Sequence, residues 1–230
     1  MKTVIGMAKI NWRHSKTAYW VTGTVFALAG PVEYIVSIAV RNPYNEVVAM
    51  GNYLYLFPLC MAIFVPAQNF QRLMNLGGTR LDFFKSSLLT YAPAAAVGSL
   101  ASVILNLTID KWMVSSGAIA GVLDLLTVFG FMERGPAAAF FQMTVFLLLT
   151  ACTVHMLTLI QGRWYGWVTD ALIIAVISVF TPIASLRAVL VWFFTMIIFH
   201  DAAAVQILSC LLCGAAVYGL SLIPVRSRHV

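Results

Sequence analysis

Six long apolar runs constrain the fold of this chain more than any other feature of its sequence. A helix that spans a bilayer needs roughly 20 mostly apolar residues, and charged residues make up only 10% of the chain. A soluble domain carries roughly 25% charged residues. The sequence therefore predicts an all-α integral membrane protein in which residues 1–230 form one domain with six transmembrane helices. These helices are expected at 18–40, 47–70, 85–107, 137–160, 167–186 and 202–223.

The basic residues indicate the orientation of these helices, because Lys and Arg concentrate in cytoplasmic loops. With the N-terminus in the cytoplasm, the inner side carries Lys2, Lys9, Arg13, Lys16, Arg72, Arg80, Lys85, Arg163, Arg226 and Arg228. The outer side carries only Arg41, Lys111, Arg134 and Arg187. This asymmetry predicts a multi-pass protein of the cell membrane with both termini in the cytoplasm. The net charge of +6 is thereby explained by membrane topology, and no nucleic-acid partner is expected.

Residues 1–17 have the pattern of an amphipathic helix at about 100° per residue. The cations Lys2, Lys9, Arg13 and Lys16 share one side, and an apolar face with Val4, Ile5, Ala8 and Trp12 adjoins it. This pattern predicts a helix in the headgroup region that binds membrane lipid; a frayed basic tail is the alternative. The stretch lacks the continuous apolar core of a signal peptide, so we expect the first span to be retained.

Two outer segments are predicted to enter the membrane without crossing it. The apolar stretch 188–200 is too short to span and follows Pro182, so 187–201 is predicted to be a re-entrant helix or hairpin before the last span. The connection 108–136 is the longest in the chain. It is moderately apolar, and a partly embedded outer helix is expected there.

The sequence contains none of the common catalytic motifs. It has no phosphate-binding GxxxxGK[ST] loop, no HExxH and no GxSxG, so we expect no catalytic residue, no metal site and no cofactor in this chain. The CxxC of Cys210 and Cys213 lies inside an apolar run, where cysteines behave as small hydrophobic residues.

A substrate path or gate is predicted to involve Glu33, Asn52 and His155. Glu33 lies in the first span beside Gly30 and Pro31, and a carboxylate in hydrocarbon is costly unless it faces a cavity or a partner. Two interpretations stay open: a substrate or gating contact, or a protonated or hydrogen-bonded glutamate near the outer interface.

The cytoplasmic segment 71–84 is polar on one side and apolar on the other. Its length exceeds the needs of a simple turn. The pattern predicts a short helix, a break at Gly77 and Gly78, and a second helical start with Thr79 as N-cap and Asp82 closing a capping box. We expect this element to lie along the membrane face.

The order of an N-terminal amphipathic helix, two spans and the stretch LGGTRLDFF resembles the permease subunits of ABC exporters with the type V (ABC-2-type) membrane fold. In that family a coupling helix between spans two and three often has a pattern like LGxxRxxFF, and it docks on the ATPase. The matching residues here are Leu76, Gly77, Arg80, Phe83 and Phe84. The family's re-entrant outer hairpin matches 188–200, and its short turn between spans four and five matches GRWYG at 162–166. The connection 108–136 is longer than in a minimal permease.

The resemblance implies a division of labour between this chain and its partners. A soluble ABC ATPase subunit would bind ATP and Mg, and a second permease subunit, the same or homologous, would complete a dimer. The coupling residues that the resemblance implies are Arg72, Leu76, Gly77, Thr79, Arg80, Asp82, Phe83, Phe84, Arg163 and Trp164. The expected function is ATP-driven export of an amphipathic substrate such as a peptide, an antibiotic or a lipid-like molecule. The alternative is an ATP-independent membrane scaffold or assembly factor; a third interpretation, an intramembrane enzyme, would use Glu33 and His155.

Overall fold

The computed structural model describes residues 2–40, 46–117, 119–161 and 163–227. Arg41, Gly162 and Arg228, which belong to the predictions above, lie outside these residues. The helices are α1 (Lys2–His14), α2 (Lys16–Val40), α3 (Met50–Asn75), α4 (Arg80–Ser115), α5 (Pro136–Ile160), α6 (Trp164–Phe180), α7 (Ala184–Phe199), α8 (Ala203–Leu220) and α9 (Leu222–Ser227).

Five segments are long and apolar enough to cross a membrane, namely α2, α3, α4, α5 and α8 continued by α9. The protein is therefore a helical, multi-pass membrane protein. We call the end that carries the α3–α4 turn the inner end, and the opposite end the outer end. The first four predicted spans each coincide with one of these helices.

The helices α3, α4 and α7 each contain one π-helical segment: Val65–Asn69, Asn106–Asp110 and Thr195–Phe199. Pro66 lies in the first of them, and proline cannot supply the N–H that a regular α-helix needs there. A π segment widens the helix locally and is frequent at functional sites.

The predicted span 167–186 and re-entrant segment 187–201 correspond to α6 and α7, with the break at 181–183 instead of after residue 186. The helices α6 and α7 meet at a bend of 116°, at Thr181–Pro182–Ile183, because proline breaks the helix. At 1.5 Å per residue, the 17 residues of α6 fall short of a hydrocarbon core of about 30 Å. A sixth span is present only if this bent pair counts as one.

The helices α6 and α7 pack little against the rest of the bundle. Within α6 only Gly166 is buried, and in the regular part of α7, Ala184–Phe194, no residue is buried. The exposed side chains are large and apolar, among them Trp167, Leu172 and Ile174.

The outer end carries a feature that the sequence did not predict, a parallel ladder of two short strands. Strand β1 (Glu46–Val48) pairs with β2 (Gly121–Leu123), and Val47 lies opposite Val122. The predicted outer helix in 108–136 is thus only partly present. The helix α4 extends to Ser115, β2 follows, and the connection ends in a one-turn helix Leu125–Val128 and a 3₁₀ turn Met132–Arg134.

Small residues of α4 in the run 93–102 allow close contact with α3. Gly51 of α3 lies directly against Ser102. At Gly98, an added Cβ would lie 3.3 Å from the Leu54 carbonyl oxygen. This contact fixes α3 and α4 as a tight antiparallel pair.

Candidate functional site

The turn between α3 and α4 is closed by hydrogen bonds at both helix ends. Gly77 has a φ of 81°; its N–H donates to the Met74 carbonyl (3.0 Å), and the Gly78 N–H donates to the Leu73 carbonyl (3.1 Å). This is the Schellman motif that ends helices at glycine. The Thr79 hydroxyl then accepts from the Asp82 N–H at 3.1 Å, so the predicted N-cap is confirmed. We call residues 71–84 the inner hairpin.

The inner hairpin has the predicted order of elements: a short helix (Phe70–Asn75) that continues α3, the glycine break, and a second helical start at Arg80. Only the capping box differs from the prediction, because the Asp82 carboxylate does not bond back to the Thr79 N–H. It accepts from the Thr79 hydroxyl at 2.8 Å instead.

The two phenylalanines of the LGGTRLDFF stretch point into the protein. Phe83 is fully buried, and its ring meets that of Phe70 edge-on at 5.0 Å. Phe84 stacks on Tyr218 with ring centroids 4.2 Å apart, and the Tyr218 hydroxyl donates to the Phe84 carbonyl at 2.5 Å. These side chains therefore anchor the hairpin to α8 and to the core.

The tip of the hairpin is exposed and carries mixed polar and apolar groups. Leu76 is 66% exposed, and Arg72 and Thr79 are also exposed, whereas Asp82 is half-buried. Arg80 donates a hydrogen bond to the backbone carbonyl of Arg226 in α9. The tip thus presents an accessible surface on a tightly held base.

Helix α1 packs on this hairpin as well as carrying the predicted cations. Met7, Ala8 and Asn11 are buried. The Asn11 amide donates to the Thr90 hydroxyl at 3.4 Å and its oxygen accepts from the Asn69 amide at 3.3 Å. Lys2, Lys9, Arg13 and Lys16 are exposed and Trp12 is half-buried. The segment is helical with its cations on an exposed side, as predicted, but its inner face contacts protein, and lipid binding stays a prediction.

Arg163 and Trp164 lie at the turn between α5 and α6. Trp164 is 76% exposed, and the Arg163 guanidinium lies over the Tyr165 ring at 5.7 Å. They belong to a different loop from the inner hairpin.

The three residues predicted for a substrate path do not form one site. Both oxygens of Glu33 accept hydrogen bonds, one from the Val48 N–H (2.9 Å) and one from the Tyr53 hydroxyl (2.5 Å). Asn52 donates to the Leu123 carbonyl (2.9 Å) and accepts from the Leu125 N–H (3.2 Å). Both residues hold the outer ladder in place, which agrees with the hydrogen-bonded interpretation of Glu33.

His155 lies apart from these two residues, in the core. It is fully buried, and its Nδ1 is 2.7 Å from the Tyr91 hydroxyl. Its ring also packs on Phe83 and Tyr218. His155 therefore links α4, α5 and α8 beneath the inner hairpin.

The sequence analysis did not select two buried carboxylates at the outer end. Asp110 accepts from the Tyr34 hydroxyl at 2.5 Å. Asp124 accepts from the Asn106 amide at 2.6 Å and from the Leu126 N–H at 3.0 Å. One sequence feature could have indicated this polar cluster: Asn106 and Asp110 are four residues apart, so their side chains share one helix face.

The stability that Asp124 contributes should depend on pH. Burial, the largest cause, raises the pKa of Asp124 above its ordinary value of 3.8. A raised folded-state pKa means that this contribution is fully present below about pH 4 and is lost as the pH rises through the folded-state pKa. Thermal unfolding of the wild type and Asp124→Asn from about pH 4 to 8 measures the effect. We expect the wild type to lose stability relative to the variant as the pH rises; parallel curves would contradict this.

No protein-family model, curated protein or solved structure matches this chain. Among the described residues, no three His, Cys, Asp or Glu side chains are grouped so as to hold a metal ion.

Proposed function

We propose that this chain is the permease subunit of an ATP-driven ABC transporter that exports an amphipathic substrate. A separate ATPase subunit would bind ATP and Mg and dock on the inner hairpin. The observation that carries the proposal is the combination of an exposed tip and a rigid base in residues 71–84. An accessible surface on a firmly anchored turn is what a motor subunit needs in order to move the helices behind it.

The contacts of the hairpin supply a route for the movement. A push on Leu76 and Arg72 acts directly on the ends of α3 and α4, because the turn between them has little freedom. Phe84 and Tyr218 transfer it to α8, and Phe83 and His155 transfer it to α5. Closure of the ATPase subunits would thus tilt several spans together.

A second permease subunit is supported by the weak packing of α6 and α7. Their large apolar side chains lie outside the bundle, and a second copy, or a homologous chain, offers the surface to cover them. The substrate would then pass between the two subunits.

The proposal is tested by copurification with an ABC ATPase encoded beside the gene of this chain. Leu76→Asp is the sharpest variant, because Leu76 is exposed, whereas Arg80→Glu would also break the hydrogen bond to Arg226. Loss of a buried leucine contact is worth about 1.5–3 kcal/mol. We therefore expect at least about tenfold less ATPase in the complex, together with loss of ATPase coupling.

Val128→Asp is the matched control. Val128 is 49% exposed in the one-turn helix at the outer end, and the substitution adds the same charge at the end opposite the hairpin. Equal recovery of the ATPase with Leu76→Asp and the wild type would contradict docking at the hairpin. A wild-type chain that recovers no ATPase would favour the ATP-independent scaffold.

A further inference from the structure

An open cavity of about 610 Å³ lies at the outer end of the protein. It is bounded on one side by the π segment and last turn of α4 and on the other by β2 and the turns that follow it. The residues used below are Asp110, Lys111, Val114, Val122, Thr127 and Met132, all of which line it. The inner hairpin is at the opposite end of the bundle, so this cavity is separate from the proposed docking surface.

Asp110 is the unusual member of the lining. The residue is only 3% exposed, and one carboxylate oxygen accepts from Tyr34. The other oxygen, Oδ2, is buried and has no hydrogen-bond partner among the described residues. A buried carboxylate oxygen without a partner is costly and calls for an explanation.

The surroundings of Asp110 favour a cation as the missing partner. The second carboxylate, Asp124, is only 1% exposed, and its hydrogen-bond donors are the neutral amide of Asn106 and a backbone N–H. Two buried acidic side chains held by neutral donors leave the local field negative. Because little water reaches Asp110, an ionic hydrogen bond there would be stronger than in water.

The apolar lining specifies the rest of the ligand. Val114, Val122 and Met132 give the cavity aliphatic walls, and Thr127, a hydroxyl-bearing residue, also lines it. An ammonium group has three donors and no acceptor, and it needs several oxygens. A ligand with an aliphatic stem that ends in an ammonium group matches both parts.

We propose that this cavity binds the protonated amine of an aliphatic ligand, with Asp110 Oδ2 as the anionic contact. The site requires no ATPase, and it goes beyond the proposed transport function. Lys111 also lines the cavity, and its positive charge would repel a bound cation. Its removal therefore tests whether the ligand is positively charged.

The probe is Nα-acetyl-lysine amide, whose side chain has the required stem and ammonium group. Its Nε-acetylated form is the neutral control with the same aliphatic stem. Both are titrated calorimetrically into the purified full chain without any ATPase, so that failure here is distinguishable from failure of the proposed function. We expect the amine to bind at least about tenfold more tightly than the acetylated form, the ratio typical of a hydrogen bond to a charged group.

Two variants complete the experiment. Asp110→Asn should weaken binding of the amine at least about tenfold, while its amide oxygen can still accept from Tyr34 and keep the fold. Lys111→Ala should leave binding unchanged or tighten it. Equal binding of the two probes to the wild type would overturn the proposal, and this comparison stands even if Asp110→Asn fails to fold. Unchanged binding in Asp110→Asn, or loss of binding in Lys111→Ala, would also overturn it.

Discussion

Gly51→Val should yield little folded protein, because no space exists for a side chain between α3 and α4. A Cβ at position 51 would overlap Ser102 Oγ and lie 2.9 Å from Ser102 Cα. The backbone of α4 would have to move, and the 2.6 Å hydrogen bond between Ser102 and Tyr55 would be lost. Overpacking typically costs about 1–3 kcal/mol, and the hydrogen bond adds about 0.5–1.5 kcal/mol. Together these losses are a large fraction of a typical stability of about 5–15 kcal/mol.

Size-exclusion chromatography and thermal unfolding in detergent measure the effect of Gly51→Val. Gly219→Val is the matched control, because nothing lies within 4 Å of a Cβ at position 219. We expect the control to resemble the wild type, and the Gly51 variant to aggregate or to unfold at a clearly lower temperature. If the two variants behave alike, the close contact of α3 and α4 is wrong.

Gly78→Val should detach α1 from the inner hairpin. A Cβ at position 78 would overlap Met7 Cε and lie 2.8 Å from the Leu73 carbonyl oxygen. The methionine side chain can move away, but the backbone carbonyl cannot move without breaking the bond that closes α3. The Met7 side chain is buried in the wild type. Its displacement therefore removes an apolar contact that holds α1 in place.

Limited trypsin digestion measures the docking of α1 through cleavage after Arg13 and Lys16. We expect Gly78→Val to be cleaved there at least about tenfold faster than the wild type, since cleavage follows the population of the open form. Gly23→Val is the control, because nothing lies within 4 Å of a Cβ there. Equal cleavage of Gly78→Val and the wild type would contradict the packing of Met7 on Gly78.

The sequence predicted the helical spans well because each carries its own signal. Apolar runs of sufficient length, the double glycine at 77 and 78, and the Thr79 cap are local features. Each acts through the chain segment in which it occurs. Pro182 was recognised, but the boundary between the predicted span and the re-entrant segment was placed after residue 186, whereas the helix ends at Phe180 because proline breaks it.

The outer end could not be predicted from local patterns. Strands of three residues, such as Glu46–Val48, are too short to show an alternation of side chains. The ladder is held by Glu33, Asn52 and Asp124, whose partners lie in distant segments. The same limit applies to Phe83 and Phe84. Their family pattern indicated a docking element, whereas their burial against Phe70 and Tyr218 depends on how three helices meet.

The ladder at the outer end also has a consequence for how the protein is made. The bond from Asn52 to Leu123 joins residues 71 positions apart, and within the described part of the chain β1 pairs only with β2. During synthesis, therefore, β1 leaves the ribosome long before its partner strand β2. Glu33 can already meet its partners Val48 and Tyr53 when the first two spans have been made. Asn52 lacks Leu123 and Leu125 until the chain beyond α4 has been synthesised, so the outer end is completed only then.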